Sequence, residues 1–265
     1  MRDNFLTDLK LVVVKIGTSA FTSKSHPMNR RAVKHISAQV CELLDRGIKV
    51  VLVSSGAIGA GMHLLGLKSR PKSLDHLQAA AAIGQAQLMK SYDEYFRKQG
   101  RKVAQVLLTR DDFKEHKRYA SVKSTIHTIL GYGAVPIVNE NDTVSVDEIK
   151  FGDNDTLAAL VTKLLGADLL IILSDVDGLY SHIGKKEVID TVEEVNSGIE
   201  RLARGTDKEV CVGGMATKIK AAKAVAEAGI PMVIANGKTK DILIKITGGE
   251  RVGTIFAPRF KRSRS

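Results

Sequence analysis

Lys15 stands at the end of the run Val12-Val13-Val14 and is followed by Ile16-Gly17-Thr18-Ser19. A lysine at the exit of a buried strand, ahead of a glycine turn, carries its ammonium into a crevice rather than into bulk water, although a snorkelling strand-end lysine has the same local sequence. Lys218 closes a second pattern, Gly213-Gly214-Met215-Ala216-Thr217-Lys218, which combines glycines, a helix start and a lysine one turn in. That combination suits nucleotide phosphates, with the lysine as a positive charge over the γ-phosphate. A glycine-initiated surface helix with a solvated lysine would read alike. Between the two lysines, Asn139-Glu140-Asn141-Asp142 and Gly152-Asp153-Asn154-Asp155-Thr156 crowd short acids and amides between apolar runs. Turns and caps favour Asn and Asp for local hydrogen-bonding reasons, but so many ionisable groups so close together mark a site.

Two further loops belong to the same chemistry. Ser54-Ser55-Gly56-Ala57-Ile58-Gly59-Ala60-Gly61 follows a strand-like run, and its small residues let backbone N–H groups approach an anion, with a helix N-terminus adding a favourable field. Its G-x-x-G-x-G spacing is not the dinucleotide fingerprint, and no G-x-x-x-x-G-K-[ST] occurs in the chain, so tight packing is an equal account of this loop taken alone. Ser174-Asp175-Val176-Asp177-Gly178-Leu179-Tyr180 starts like a calcium loop, but Lys186 occupies the position where a bidentate glutamate is required. A nucleotide-contacting turn fits it better.

These loops need strands and helices to hold them, and the two patterns alternate from end to end. Leu11 to Ile16, Ile48 to Val53, Val103 to Leu108, Ala134 to Val138, Leu169 to Leu173, Met232 to Ala235 and Thr254 to Phe256 read as strands. Helical spacing runs from about Ala32 to Leu44, Leu74 to Gln99, Tyr119 to Leu130, Thr156 to Leu165 with Asp155 as its cap, and Met215 to Ala228. A short hairpin is expected over Thr143 to Phe151, and Tyr180 to Val212 is the least regular stretch. Repeated β-α-β order predicts an α/β fold, a three-layer αβα sandwich around a mostly parallel sheet. In such a sheet, ligands bind beyond the carboxyl ends of the strands, where all the loops above begin.

Composition narrows the class. The 265 residues are 44% hydrophobic, with 23 Gly and 5 Pro, as in ordinary globular domains. Cys41 and Cys211 offer neither a disulfide framework nor a zinc site, and no apolar run approaches a membrane span or a signal-peptide core, so a cytoplasmic protein is expected. The net charge of +11 points to an anionic partner, phosphorylated ligand or nucleic acid. The tail, residues 259–265, is basic and reads as a solvated end.

Taken together, Val14-Lys15-Ile16-Gly17-Thr18-Ser19, Ser54-Ser55-Gly56-Ala57-Ile58, Leu107-Leu108-Thr109-Arg110, Asn139-Glu140-Asn141-Asp142, Gly152-Asp153-Asn154-Asp155, Ser174-Asp175 with Gly178-Leu179-Tyr180, and Gly213-Gly214-Met215-Ala216-Thr217-Lys218 resemble the glutamate 5-kinases, a branch of the amino acid kinase family, in order and over nearly the whole chain. The resemblance implies transfer of the ATP γ-phosphoryl group, with Mg2+ on the phosphates, to the side-chain carboxylate of L-glutamate, the first step towards proline. It implies that Lys15 and Lys218 neutralise the moving charge and that Asp155 orients them. Ser55, with Gly56 and Ala57, Asp142 and Asn154 would hold glutamate, supported by Asn139 and Asp153. Ser174, Asp175, Val212, Gly213, Gly214, Met215, Ala216, Thr217 and Lys218 would bind ATP, with Lys15 also on its phosphates. It further implies a homo-oligomer, dimer or tetramer, and competition by proline at the glutamate site.

The kinase-like segment is expected over 1–258, with an N-terminal lobe for glutamate and a C-terminal lobe for ATP. Two departures stand out: no PUA-type RNA-binding module follows in this chain, and Val212 replaces a small polar residue common before the Gly-Gly pair. Sibling kinases acting on uridylate, N-acetylglutamate or isopentenyl phosphate are the nearest alternatives, and Asp142 argues against them because a carboxylate suits a free α-ammonium and repels phosphate. A nucleic-acid-binding relative with the same fold is the weaker alternative, since it has no need of Lys15, Asp155 and Lys218 together.

Overall fold

Side chains alternate faces along a strand, and the central strands of this chain are apolar on both faces, so each must be covered twice. The computed structural model describes residues 5–17, 30–145, 154–182, 187–204 and 214–259. Its strands are β1 (Leu11–Ile16), β2 (Lys49–Ser54), β3 (Lys102–Leu108), β4 (Ala134–Glu140), β5 (Leu169–Ser174), β6 (Thr191–Val192), β7 (Met232–Asn236) and β8 (Thr254–Phe256). They form one sheet in the order β3-β4-β2-β1-β5-β7-β8-β6. Every pairing between these strands is parallel except β7 with β8.

The helices are α1 (Arg30–Asp45), α2 (Ala57–Leu64), α3 (Leu74–Lys98), α4 (His116–Gly131), α5 (Asn154–Leu165), α6 (Ser197–Arg204), α7 (Met215–Ala226) and α8 (Ile242–Thr247). One core layer joins Val12, Val14, Ile16, Leu52, Ile137 and Ile171 of the sheet to Val40 of α1, Leu88 of α3 and Leu243 of α8. The opposite layer joins Val13, Val51, Val53, Val138, Leu170 and Ile172 to Ile126 of α4, Val161 of α5 and Ile219 of α7. Sandwich and parallel sheet are therefore as the alternation predicts. Among the described residues, no helix is long and apolar enough to cross a membrane.

The same alternation aims the polar residues. Lys15 shares the face of Val13 and pairs in register with Val53 and Ile172, so it points to the layer of α5 and α7. Asn139 shares the face of Val135 and Ile137 and points instead towards α3.

Several elements differ from expectation. Helix α5 begins at Asn154, so Asp155 lies inside its first turn rather than capping it. The glycine loop after β2 folds at once into α2, with Gly56 at φ 113° as its N-cap. Gly61 and Gly84 make the crossing of α2 and α3 close: a Cβ at Gly61 would lie 1.7 Å from the Ala80 carbonyl oxygen, and one at Gly84 would lie 1.8 Å from that of Ala57. Packing thus accounts for part of the glycine pattern. Within the irregular stretch, β6 and α6 are regular elements, and α8 is a helix that the sequence pattern does not announce. Of the expected hairpin, residues 143–145 continue a turn after β4, and 146–151 lie outside the described residues.

Candidate active site

Val14, Ile16, Val53 and Ile172, all at zero exposure, surround the end of β1, where an unpaired charge would be strongly disfavoured. Lys15 is 5% exposed there and is matched by Asp155, which is fully buried. The Lys15 Nζ lies 2.6 Å from Asp155 Oδ1. Lys218 Nζ, from the first turns of α7, lies 3.2 Å from Asp155 Oδ2, and the Thr217 hydroxyl donates to that same oxygen at 2.7 Å. Lys218 also donates to the Gly214 carbonyl at 3.4 Å. One carboxylate thus holds two ammonium groups, each arriving from a different element.

The electrostatics follow from that count. Burial alone would raise the Asp155 carboxyl, but the neighbouring charges of Lys15 and Lys218 and the hydrogen bonds to it outweigh burial and hold its pKa below the ordinary value. Lys218 is pushed down, first by burial and with a further contribution from Lys15, against the pull of Asp155 and the weaker pull of Asp175. Within the triad, two ammonium groups face one carboxylate, an excess of positive charge that the more distant Asp175 offsets only in part and that an incoming phosphate would neutralise.

A second cluster adjoins the first through the peptide bond between Asn154 and Asp155. Asn154 Nδ2 donates to Ser55 Oγ at 2.7 Å and to Asn139 Oδ1 at 3.0 Å. Asn154 Oδ1 is buried and has no hydrogen-bond partner among the described residues. Asn139 Nδ2 donates to Gln85 Oε1 at 2.9 Å, and Gln85 Nε2 donates to Gln105 Oε1 at 2.9 Å. Nothing in the sequence singles out Gln85 or Gln105, or marks Thr217 as a donor to Asp155.

Asp142 lies in the turn after β4, half-buried, and burial lifts its carboxyl to about 6 despite the opposing charge of Arg70. No hydrogen bond among the described residues joins it to Ser55 or Asn154. Gly56 and Ala57 form the start of α2, Ala57 being buried. Ser174 ends β5, and its hydroxyl donates to Asp175 Oδ1 at 3.2 Å. Met215 and Ala216 open α7. Asp153, Val212 and Gly213 lie outside the described residues.

This arrangement, with lysines from β1 and α7 converging on an acid of α5 at the carboxyl edge of a parallel sheet, coincides with a match of residues 10–236 to the model of the amino acid kinase family. The chain belongs to the amino acid kinase family. Among curated relatives in this family, glutamate 5-kinase of Clostridium acetobutylicum is 48% identical over 264 residues, covering 98% of this chain and 99% of that one. Glutamate 5-kinase of Thermoanaerobacter pseudethanolicus is 48% identical over 254 residues, covering 94% of this chain and 68% of its own. The structure of carbamate kinase from Giardia lamblia bound to AMP-PNP superposes with a TM-score of 0.63 at 18% identity, over 94% of this chain and 99% of that one, a likeness of fold. Among amino acid kinases, then, the chain stands with the glutamate 5-kinases.

Proposed function

We propose that the chain transfers the γ-phosphoryl group of ATP to the side-chain carboxylate of L-glutamate, forming glutamyl 5-phosphate for proline synthesis. The observation that carries the reading is the pair of buried lysines sharing Asp155. In the transfer, a glutamate carboxylate oxygen bonds to the γ-phosphorus while the bond to the β,γ-bridging oxygen breaks, and ADP leaves with that electron pair. No covalent protein intermediate is needed, so positioning and charge neutralisation are the protein's tasks. Lys15 and Lys218 supply the positive charge, and Asp155 keeps both from turning away.

On this reading the N-terminal lobe of the 1–258 kinase segment holds glutamate through Ser55, Gly56, Ala57, Asp142 and Asn154, with Asn139 and Asp153 in support. Asn154 Oδ1, an acceptor without a partner among the described residues, and the Asp142 carboxylate suit the α-ammonium group. The C-terminal lobe holds ATP through Ser174, Asp175 and residues 212–218. Mg2+ belongs with the nucleotide: both oxygens of Asp155 already face cationic or hydroxyl donors, which fits a metal held by phosphate oxygens and water. Self-association, inhibition by proline and a cytoplasmic location accompany the reading.

Incubation with Mg2+, ATP, L-glutamate and hydroxylamine tests it, since hydroxylamine traps the acyl phosphate as a hydroxamate. Product is expected with L-glutamate and none with N-acetylglutamate or uridylate. Equal turnover of N-acetylglutamate would overturn the substrate assignment.

A further inference from the structure

Gln85 sits in the middle of α3 and is 8% exposed, buried against the carboxyl end of the sheet. It joins a chain of primary amides in which the orientation of each group is tied to that of its neighbours. Gln85 Nε2 donates to Gln105, so Gln85 Oε1 is left to accept from Asn139 Nδ2. Asn139 Oδ1 is then left to accept from Asn154 Nδ2, which also donates to Ser55 Oγ. Both donor hydrogens of Asn154 are used, and its Oδ1 is the atom without a partner among the described residues. Reversing Asn139 alone would set donor against donor at Asn154 and acceptor against acceptor at Gln85.

We propose that Gln85 is a positioning residue for substrate recognition: by accepting from Asn139 it fixes the polarity of the amide chain, so that Asn154 presents an oxygen, rather than an N–H, to the ammonium group of the amino-acid substrate. This rests on the reading that Asn154 contacts glutamate. The tight crossing of α2 and α3 at Gly84 fixes the backbone from which the neighbouring Gln85 reaches Asn139. An amide reversed at Asn154 would meet the ammonium with a donor and repel it, while leaving Lys15, Asp155 and Lys218 untouched.

The test compares Q85M, of similar length but lacking the amide oxygen, with Q85E, which keeps an acceptor for Asn139, using L-glutamate and glutarate, the analogue without an amino group. Q85M should raise the KM for L-glutamate by about tenfold with kcat within about twofold and an unchanged KM for ATP, a loss confined to ground-state recognition. The preference for L-glutamate over glutarate should fall by the same factor, and Q85E should restore both. If Q85M does not fold, Q85N, one methylene shorter and out of reach of Asn139, carries the same expectation. An unchanged preference in the acceptor-lacking variant, or a Q85E no better than it, overturns the role of Gln85. N154A separates the two levels: if it leaves the glutamate KM unchanged, the binding role of Asn154 itself fails.

Discussion

Lys15 lies next to the end of the first strand and Asp155 in the first turn of a helix far along the chain, yet their charged atoms lie 2.6 Å apart with both side chains out of solvent. Removing charges from water is costly, and a buried pair seldom stabilises a protein more than well-packed apolar residues would. Its presence in an otherwise apolar layer therefore argues for function. Asp155 spends one oxygen on Lys15 and the other on Lys218 and Thr217, so two cations stay fixed while a net positive charge is kept for the ligand.

Either lysine is most useful while charge moves between oxygens. Lys15→Ala and Lys218→Ala should each lower kcat by about a hundredfold or more, as for the loss of one preorganised charge. Steady-state kinetics decide the point: a normal kcat with weakened glutamate binding would remove both residues from the transfer step.

Asp155→Asn keeps the shape and removes the counter-charge, leaving two buried ammonium groups facing an amide. Breaking a buried pair in this way costs about 3–5 kcal/mol, so the variant should melt earlier as well as turn over slowly. ATP should recover part of the lost melting temperature, because its phosphates supply the missing negative charge. A variant that melts like the parent would show that the triad is not under electrostatic tension.

The pH profile reports Asp142. Its folded pKa, raised to about 6 by burial, means that its ionised form is disfavoured by folding above that pH. The native state binds the proton more tightly than the unfolded chain does, so this group's penalty is present above pH 6 and is relieved as pH falls from about 6 towards the ordinary carboxylate value near 4. Asp142→Asn should therefore raise the melting temperature at about pH 8, with a gain that shrinks towards about pH 5. If the ionised carboxylate holds the substrate ammonium, the parent's kcat/KM for glutamate should also decline below about pH 6 while kcat stays nearly level. A flat kcat/KM from about pH 7 to about pH 5 would remove Asp142 from ammonium recognition.

Much of this site can be read from residue order. Lys15 is legible because it interrupts a valine run, and Lys218 because glycines and a helix start precede it. Gln85 is not, since a glutamine within a long amphipathic helix carries no local mark, and its partner Asn139 is 54 residues away. Thr217 reads as part of an ATP loop, but the bond from its hydroxyl to Asp155 carries no mark in the sequence. Among the elements, the helix start after β2 is legible but the extent of α2 is obscured by glycines of low helix propensity, and α8, Ile-Leu-Ile-Lys-Ile-Thr, is rich in β-branched residues and becomes helical through burial of Ile242, Leu243 and Ile246.

The glycines after β2 offer a test in which neighbouring positions part ways. Gly61 has no room for a methyl group, since its Cβ would lie 1.7 Å from the backbone oxygen of Ala80, and backbone on a packed helix cannot swing aside like a side-chain tip. Gly61→Ala should push α2 and α3 apart, lower the melting temperature and displace Gln85, so that glutamate affinity falls with stability. Gly59 lies in the same helix, with nothing within 4 Å of where a methyl would sit and no left-handed backbone. Gly59→Ala should leave the fold intact and raise its stability by about 0.5–1 kcal/mol through helix propensity. Thermal melts of the two variants side by side measure the difference, and a Gly61→Ala protein as stable as Gly59→Ala would show that the close crossing of α2 and α3 is not what the glycine at 61 is for.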